Sequence, residues 1–288
     1  MNTLKGKIAV ITGSTRGLGL AIAKAFAEEG ASVVITSRSN EAVNRVVDDM
    51  RSAGHQAAGM AVDVSDIHQV RTLADFVVKT FGRIDIWVNN AGITGAYGPT
   101  TGIDPEVFSG VVNTNILGTY HGSIFALNQF KKQGGGKLIN MLGMGYKKPA
   151  PWQNAYGSSK AWIRNFTKAL AKENKAFKNI GIHALNPGMV LTDLLVRNEV
   201  VAGSEDRLKV FPTIVRMWAK PGDVPARKAV WLASPATDGK TGLEANVFSF
   251  GVMLKGAVLE GWRLVTGGVP PKSDVDMTVV PGWEPDNK

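Results

Sequence analysis

Ile8-Ala9-Val10-Ile11-Thr12-Gly13-Ser14-Thr15-Arg16-Gly17-Leu18-Gly19 is the stretch that decides the fold. Its four leading apolar residues read as a buried strand. A turn with three glycines follows, and then a helical pattern over 17–29 with Ala21, Ile22, Ala25 and Phe26 on one face. Strand, glycine turn and helix in that order make a phosphate-binding unit. Missing side chains let the backbone approach a pyrophosphate, and the helix start offers unpaired N–H groups and a positive dipole end. Gly13, Ser14, Thr15, Arg16, Gly17, Leu18 and Gly19 are therefore expected against a dinucleotide.

Working outward, apolar runs alternate with helical patterns. Strands are expected at 32–36, 57–62, 84–88, 137–141 and 180–185, and helices at 41–53, 67–81, 108–130 and 156–176. That alternation predicts the α/β class: a single doubly wound, Rossmann-type domain with a parallel sheet flanked by helices. The domain is expected over 1–268, with a substrate-side excursion at about 191–220 in which Pro212 interrupts any helix. Two further helices are expected at 224–233 and 250–265. The latter has Met253, Leu254, Ala257, Val258 and Trp262 as its apolar side. Residues 269–288, with Pro270, Pro271, Pro281 and Pro285, read as an extended C-terminal tail.

The bulk composition is that of a globular protein: 288 residues, 44% hydrophobic and 20% charged. The absence of cysteine excludes disulfides, thiolate nucleophiles and Cys-ligated metals. The four histidines have no ligand spacing, so no metal is expected. The start of the chain lacks a signal-peptide core, and the expectation is a cytoplasmic protein. No run of about 18 apolar residues predicts a membrane span. The net charge of +9 is scattered rather than clustered, which argues against nucleic acid. It suits an anionic cofactor and leaves room for peripheral contact with an acidic membrane.

Cofactor choice is expected at the end of the second strand, where a carboxylate would accept from a ribose 2′-OH. The sequence there is Thr36-Ser37-Arg38, and Arg16 lies inside the glycine turn. Two guanidinium groups suit a 2′-phosphate, so Ser37, Arg38 and Arg16 point to NADP(H). Tyr156 and Lys160 stand four apart at the start of a long helix, hence on one face. The ammonium is expected to lower the tyrosine pKa toward working pH, making Tyr156 a proton donor to a carbonyl oxygen.

These pieces, with Asp63-Val64, Asn89-Asn90-Ala91-Gly92, Asn115-Ile116-Leu117-Gly118 and Asn186-Pro187-Gly188 between and after them, resemble the short-chain dehydrogenase/reductase superfamily over residues 5 to about 235. The resemblance implies that Asp63 and Val64 contact the adenine and that Asn90, Ala91 and Gly92 line the cofactor cleft. It implies that Asn115 holds a water in a proton relay to Lys160, and that Lys160 also grips the nicotinamide ribose. Pro187, Gly188, Val190 and Thr192 are implied beside the carboxamide and phosphates. It further implies a small-molecule carbonyl substrate and a homodimer or homotetramer.

One position departs from that family. The serine usual thirteen residues before the tyrosine is here Gly143, in Asn140-Met141-Leu142-Gly143-Met144-Gly145-Tyr146. Loss of such a donor can cost on the order of 10²–10³ in turnover. Asn140, Tyr146 or a backbone N–H are the candidate replacements, and the glycines leave room for a bulky substrate. This segment and Asn186 to Leu195 are similar to the chlorophyll(ide) b reductase branch, which reduces the formyl group of a large chlorin with NADPH. The substrate pocket is expected from 93–100, 143–153 and 189–218, with Gly143, Met144, Trp152 and Met189 on its wall. Three functions stay open: an NADPH-dependent aldehyde or ketone reductase, an NADP-binding regulator or scaffold that has lost catalysis, and an NADP-dependent secondary-alcohol dehydrogenase.

Overall fold

The computed structural model describes residues 2–247, 250–266 and 275–285. Its elements run β1 (Ile8–Ile11), α1 (Gly17–Glu28), β2 (Ser32–Ser37), α2 (Asn40–Ser52), β3 (Ala57–Ala61), α3 (Ile67–Phe81) and β4 (Ile86–Asn89). Then follow α4 (Pro105–Val111), α5 (Gly118–Gln133), β5 (Gly136–Met141), α6 (Asn154–Glu173) and β6 (Ile180–Asn186). The chain continues through α7 (Asp193–Val196), β7 (Arg197–Val201), α8 (Phe211–Trp218), α9 (Asp223–Ala233), β8 (Glu244–Asn246), α10 (Phe250–Thr266) and β9 (Asp276–Val280).

Seven strands form one parallel sheet in the order β3-β2-β1-β4-β5-β6-β8. The order reverses between β1 and β4, which opens a crevice at the carboxyl ends of those strands. Every residue of β1 and β4 is buried, as expected for parallel strands covered on both faces. One face packs Ile22, Phe26, Val33, Ile35 and Leu232 under α1, α2 and α9. The other packs Val70, Leu73, Trp87, Phe130 and Ile182 under α3, α5 and α6. Each such side chain contributes about 1.5–3 kcal/mol by leaving water.

Four features differ from the sequence reading. The helix expected over 108–130 is broken by a π-helical segment, Val112–Leu117, between α4 and α5; its one extra residue per turn re-aims Asn115, and such bulges mark functional sites. Pro212 does not interrupt a helix: it stands in the first turn of α8, where its missing N–H has no partner to lose. β8 was not legible, because a three-residue edge strand with one buried residue has no period to detect. The tail is more than an extended arm. Its residues 276–280 pair in parallel with β7, and Trp283 donates its N–H to Gly102. Gly267-Gly268, and the tail's residues 269–274 and 286–288, lie outside the described residues.

α10 also turns the opposite way from its apolar pattern. Leu254, Val258, Trp262 and Val265 are 54%, 61%, 70% and 86% exposed. Gly256 faces inward, so close that a side chain would collide with the Met217 carbonyl. Glu260 is buried between Arg216 (3.1 Å) and Arg263 (2.7 Å). A close backbone approach and an ion cluster set the rotation of this helix; the positions of the Met253 and Ala257 side chains lie outside the described residues. Among the described residues no helix is long and apolar enough to cross a membrane.

Candidate active site

The glycine turn sits at the reversal point of the sheet. Gly13 has φ +64° and lies so near Ala91 that a Cβ would stand 3.0 Å from its Cα. A Cβ on Gly19 would collide with the Gly13 carbonyl and stand 2.5 Å from Asn90 Nδ2. Asn90 crosses from β4 to steady this turn, donating to Thr12 O (2.9 Å) and Gly13 O (3.2 Å). Thr12 Oγ1 accepts from the N–H groups of Asn90 and Ala91 at 2.9 and 3.0 Å. Helix α1 begins at Gly17 with no side-chain cap, so its first-turn N–H groups are left for a ligand. This tight, uncapped cradle fits a dinucleotide pyrophosphate.

Thr15, Arg16, Gly17 and Leu18 surround that helix start, but Ser14 has a different role. Its hydroxyl donates to Ile11 O (2.7 Å) and accepts from Thr36 N–H (3.0 Å), and its own N–H donates to Thr36 O (2.9 Å). Ser14 is fully buried, so it builds the turn and has nothing left for a phosphate. At the end of β2, Ser37 bonds the backbone of Ser39. Among the described residues Arg38 has no carboxylate partner. Arg16 pairs with Asp193 at 3.3 Å, both exposed. Asp63 holds Ser65 through its N–H (2.9 Å) and hydroxyl (2.7 Å), and Val64 is buried beside Gly118. The segment carrying Pro187, Gly188, Val190 and Thr192 arches back to the cradle. Gly188 N–H donates to Asn186 Oδ1 (3.3 Å), and a Cβ on Gly17 would touch Thr192 Cγ2 at 3.2 Å. Met189 and Leu191 bond to Lys220, which anchors this arch to the chain after α8.

The second half of the site is carried by α6. Lys160 is buried and donates to Met141 O at 3.2 Å, and its Nζ lies 5.4 Å from the centre of the Tyr156 ring. Asn115, aimed by the π-helical segment, is fully buried. Its Oδ1 accepts from Ile93 N–H (2.9 Å), and its Nδ2 donates to Ile93 O (2.9 Å) and Ser159 Oγ (3.0 Å). Asn115 thus fixes the 93–98 loop against α6. Ser159, which in turn bonds Tyr156 O (2.7 Å), was not singled out from sequence. Its only signal was its place beside Lys160.

The expected lowering of the tyrosine pKa is not what this arrangement produces. Burial pushes the Tyr156 hydroxyl up to about 12 and pulls Lys160 down to about 8. Withdrawal from water disfavours the charged form of both groups. The phenol is therefore held protonated at neutral pH, the state a proton donor needs.

Gly143 has a clear geometric reason. A Cβ there would collide with the Tyr156 hydroxyl and stand 3.4 Å from Lys160 Cγ. The tyrosine oxygen fills the space a side chain at 143 would need. Two of the three candidate replacement donors are otherwise engaged. Asn140 is fully buried, accepting from Asn89 (2.8 Å) and donating to Thr167 (2.9 Å). Tyr146 donates to Asn246 at 2.7 Å. Backbone N–H groups remain: among the described residues those of Gly143 and Met144 have no protein acceptor.

On the pocket side, Met144 is 57% exposed. Trp152 is half-buried with φ +62°, the one non-glycine in the left-handed region among the described residues. A narrow crevice, with space for little more than a water molecule, lies between the loop Thr94–Gly98, α4 and the start of α6, lined by Gly95, Val107, Phe108 and Ala155.

Comparison with known proteins gives this geometry its context. The family model described as short chain dehydrogenase matches residues 7–200. The probable chlorophyll(ide) b reductase NYC1 of Arabidopsis thaliana is 35% identical over 215 residues, covering 68% of this chain and 43% of that protein. The chain thus spans less than half the length of that relative. Among solved structures, a gluconate 5-dehydrogenase from Burkholderia cenocepacia in complex with NADP and tartrate superposes with a TM-score of 0.77 at 27% identity, covering 88% of this chain and 97% of that one. A 3-ketoacyl-(acyl-carrier-protein) reductase from Brucella melitensis complexed with NADH gives 0.75 at 32% identity, covering 85% and 97%.

Proposed function

The chain belongs to the short-chain dehydrogenase family of nicotinamide-dependent oxidoreductases, and from that premise we propose that it reduces an aldehyde or ketone with NADPH. The observation that carries this reading is the pairing of a protonated phenol and a buried ammonium beside a glycine cradle that no Cβ can enter. When bound, the reduced nicotinamide supplies hydride to the carbonyl carbon. Tyr156 donates the proton to the carbonyl oxygen. The Lys160 charge stabilises the phenolate left behind. Asn115 keeps the loop after β4 and the catalytic helix at fixed separation. The preference for NADPH rests on Arg38 and Arg16 and on the absence of a carboxylate at the end of β2. The N–H groups of Gly143 and Met144 take the place of the family serine as donors to the developing oxyanion.

A formyl group on a large flat ring, as in chlorophyllide b, is the substrate favoured by the likeness to NYC1; the glycines at 143 and 145 do not supply the expected room for it, because the Tyr156 hydroxyl and the Gly157 backbone fill that space. The second reading, a dinucleotide-binding scaffold without chemistry, draws on the engagement of Asn140 and Tyr146 away from the site. NADPH absorbance measured against small aldehydes and chlorophyllide b separates the two. Under the reductase reading Tyr156→Phe lowers turnover about 10²–10⁴-fold with the NADPH dissociation constant within about twofold. Full turnover in that variant, or no oxidation of NADPH by the wild type across the panel, defeats it.

A further inference from the structure

Three segments far apart in sequence meet beside the catalytic helix: the loop after β4 at Tyr97, the turn before α6 at Trp152, and the 3-10 turn Glu205–Leu208. They are locked together. Tyr97 N–H donates to Glu199 O (2.8 Å), and its carbonyl accepts from Val201 N–H (2.9 Å). Gly98 packs so closely on Val201 that a Cβ would stand 2.5 Å from Cγ2, and its N–H donates to Trp152 O at 2.9 Å. β7, which carries Glu199 and Val201, is itself paired with β9.

At this junction the Arg207 guanidinium lies 4.1 Å from the centre of the Trp152 ring. Its charge also reaches Tyr97, whose hydroxyl is held above its usual range by burial and drawn back by Arg207. Among the described residues the Arg207 guanidinium has no carboxylate within 4 Å and donates no hydrogen bond; the backbone N–H of Arg207 donates to Ser204 O at 3.2 Å. The adjacent acid, Asp206, is taken by Lys209 at 2.9 Å. The cation is thus fixed in position by an aromatic face while its planar edge of N–H donors is free. Trp152 is held in a left-handed backbone conformation to present that face, and strain of this kind is concentrated at ligand sites. It stands four residues before Tyr156, in the turn that precedes α6, on the carboxyl edge of the sheet where ligands of this fold lie.

We infer that Arg207, positioned on Trp152, is a carboxylate-binding subsite that selects carbonyl substrates bearing a free acid over their esters. A carboxylate accepts two parallel hydrogen bonds from a guanidinium edge, a fork that lysine does not match. The inference rests on the reductase reading for its substrate, but it assigns a separate part of the molecule and fails separately.

The test uses the full chain with NADPH and two probes sharing one formyl group, 4-carboxybenzaldehyde and its methyl ester. Chlorophyllide b and its methyl ester form a second pair. The wild type is expected to prefer each acid in kcat/KM, and Arg207→Gln to lose roughly 10- to 100-fold on the acids with the esters within about twofold. Arg207→Lys recovers only part of the loss. Equal handling of acid and ester by the wild type, or an equal loss on both in Arg207→Gln, overturns the subsite. Binding of 4-carboxybenzaldehyde to the NADPH complex, followed by tryptophan fluorescence with Trp152→Phe as control, decides the matter independently of turnover. Acid-selective binding that Arg207→Gln abolishes supports the subsite even if no aldehyde is reduced; absence of that selectivity sinks it even if the enzyme is active.

Discussion

The nucleotide half and the carboxyl-terminal cover of this molecule are held together by opposite means. Around β1, α1 and β4, backbone lies on backbone, and the glycines at 13 and 19 leave no space for a single added carbon. The cover, made of α7, β7, α8, α10 and β9, is joined by a two-stranded ladder, the exposed Arg16–Asp193 pair and the Arg216–Glu260–Arg263 cluster. Its last helix presents Leu254, Val258, Trp262 and Val265 to solvent. The exposed Arg16–Asp193 pair is worth about 0–1 kcal/mol, whereas an overpacked core contact costs about 1–3 kcal/mol. An added side chain in the first region therefore strains the glycine turn, whereas the exposed face of the second leaves room for change.

That contrast can be broken most sharply at Gly19. Gly19→Ala is expected to lower stability by about 2–3 kcal/mol and to weaken NADPH binding more than tenfold, because the new methyl must displace Gly13 or Asn90. Thermal melts and NADPH titration measure both, and a variant as stable and as tight as the parent would show that the cradle has slack.

The scaffold should also be the acid-sensitive region. His183 on β6 is fully buried with neither ring nitrogen hydrogen-bonded. Burial, and then the charge of Lys137, pull its pKa down to about 4. Its folded value lies below the unfolded value of about 6.5. The stability is therefore complete above pH 6.5 and is lost progressively as pH falls toward 4. The loss amounts to about 2–3 kcal/mol. Urea unfolding at pH 7.5 and 4.5 measures it, and His183→Leu should flatten the difference; an unchanged slope would assign acid sensitivity elsewhere.

The smallest expected effect is in the cover. A chain ending at Asp274 loses β9 and the Trp283 contact with Gly102. NADPH affinity should stay within about twofold, with KM for the carbonyl substrate raised several-fold and kcat little changed, the pattern of lost substrate binding. A large fall in NADPH affinity on this truncation would mean that the two regions are not separable.

Legibility followed the same division. The glycine turn, the six longer strands of the sheet and the Tyr156/Lys160 pair could be read because each leaves a local period or a fixed spacing. β8 could not, since three residues at a sheet edge leave no period. The apolar stripe of α10 did not say which side would face inward, because Gly256 and Glu260 set that rotation. Ser14 fitted the motif yet serves the turn, a distinction visible only in its hydrogen bonds. The tyrosine pKa was misjudged in direction, because spacing gives the ammonium but not the burial that outweighs it.

What the sequence determined by itself was the parallel architecture and the placing of Tyr156 and Lys160 on one helix. Both follow from residues that interact within one turn of helix or one strand-loop-helix unit. Tertiary structure alone decided the withdrawal of the phenol from water, the reason for Gly143 and the meeting of Tyr97, Trp152 and Arg207. Each of these depends on how much water is excluded, or on contacts between separate segments of the chain, and neither quantity is written in local pattern.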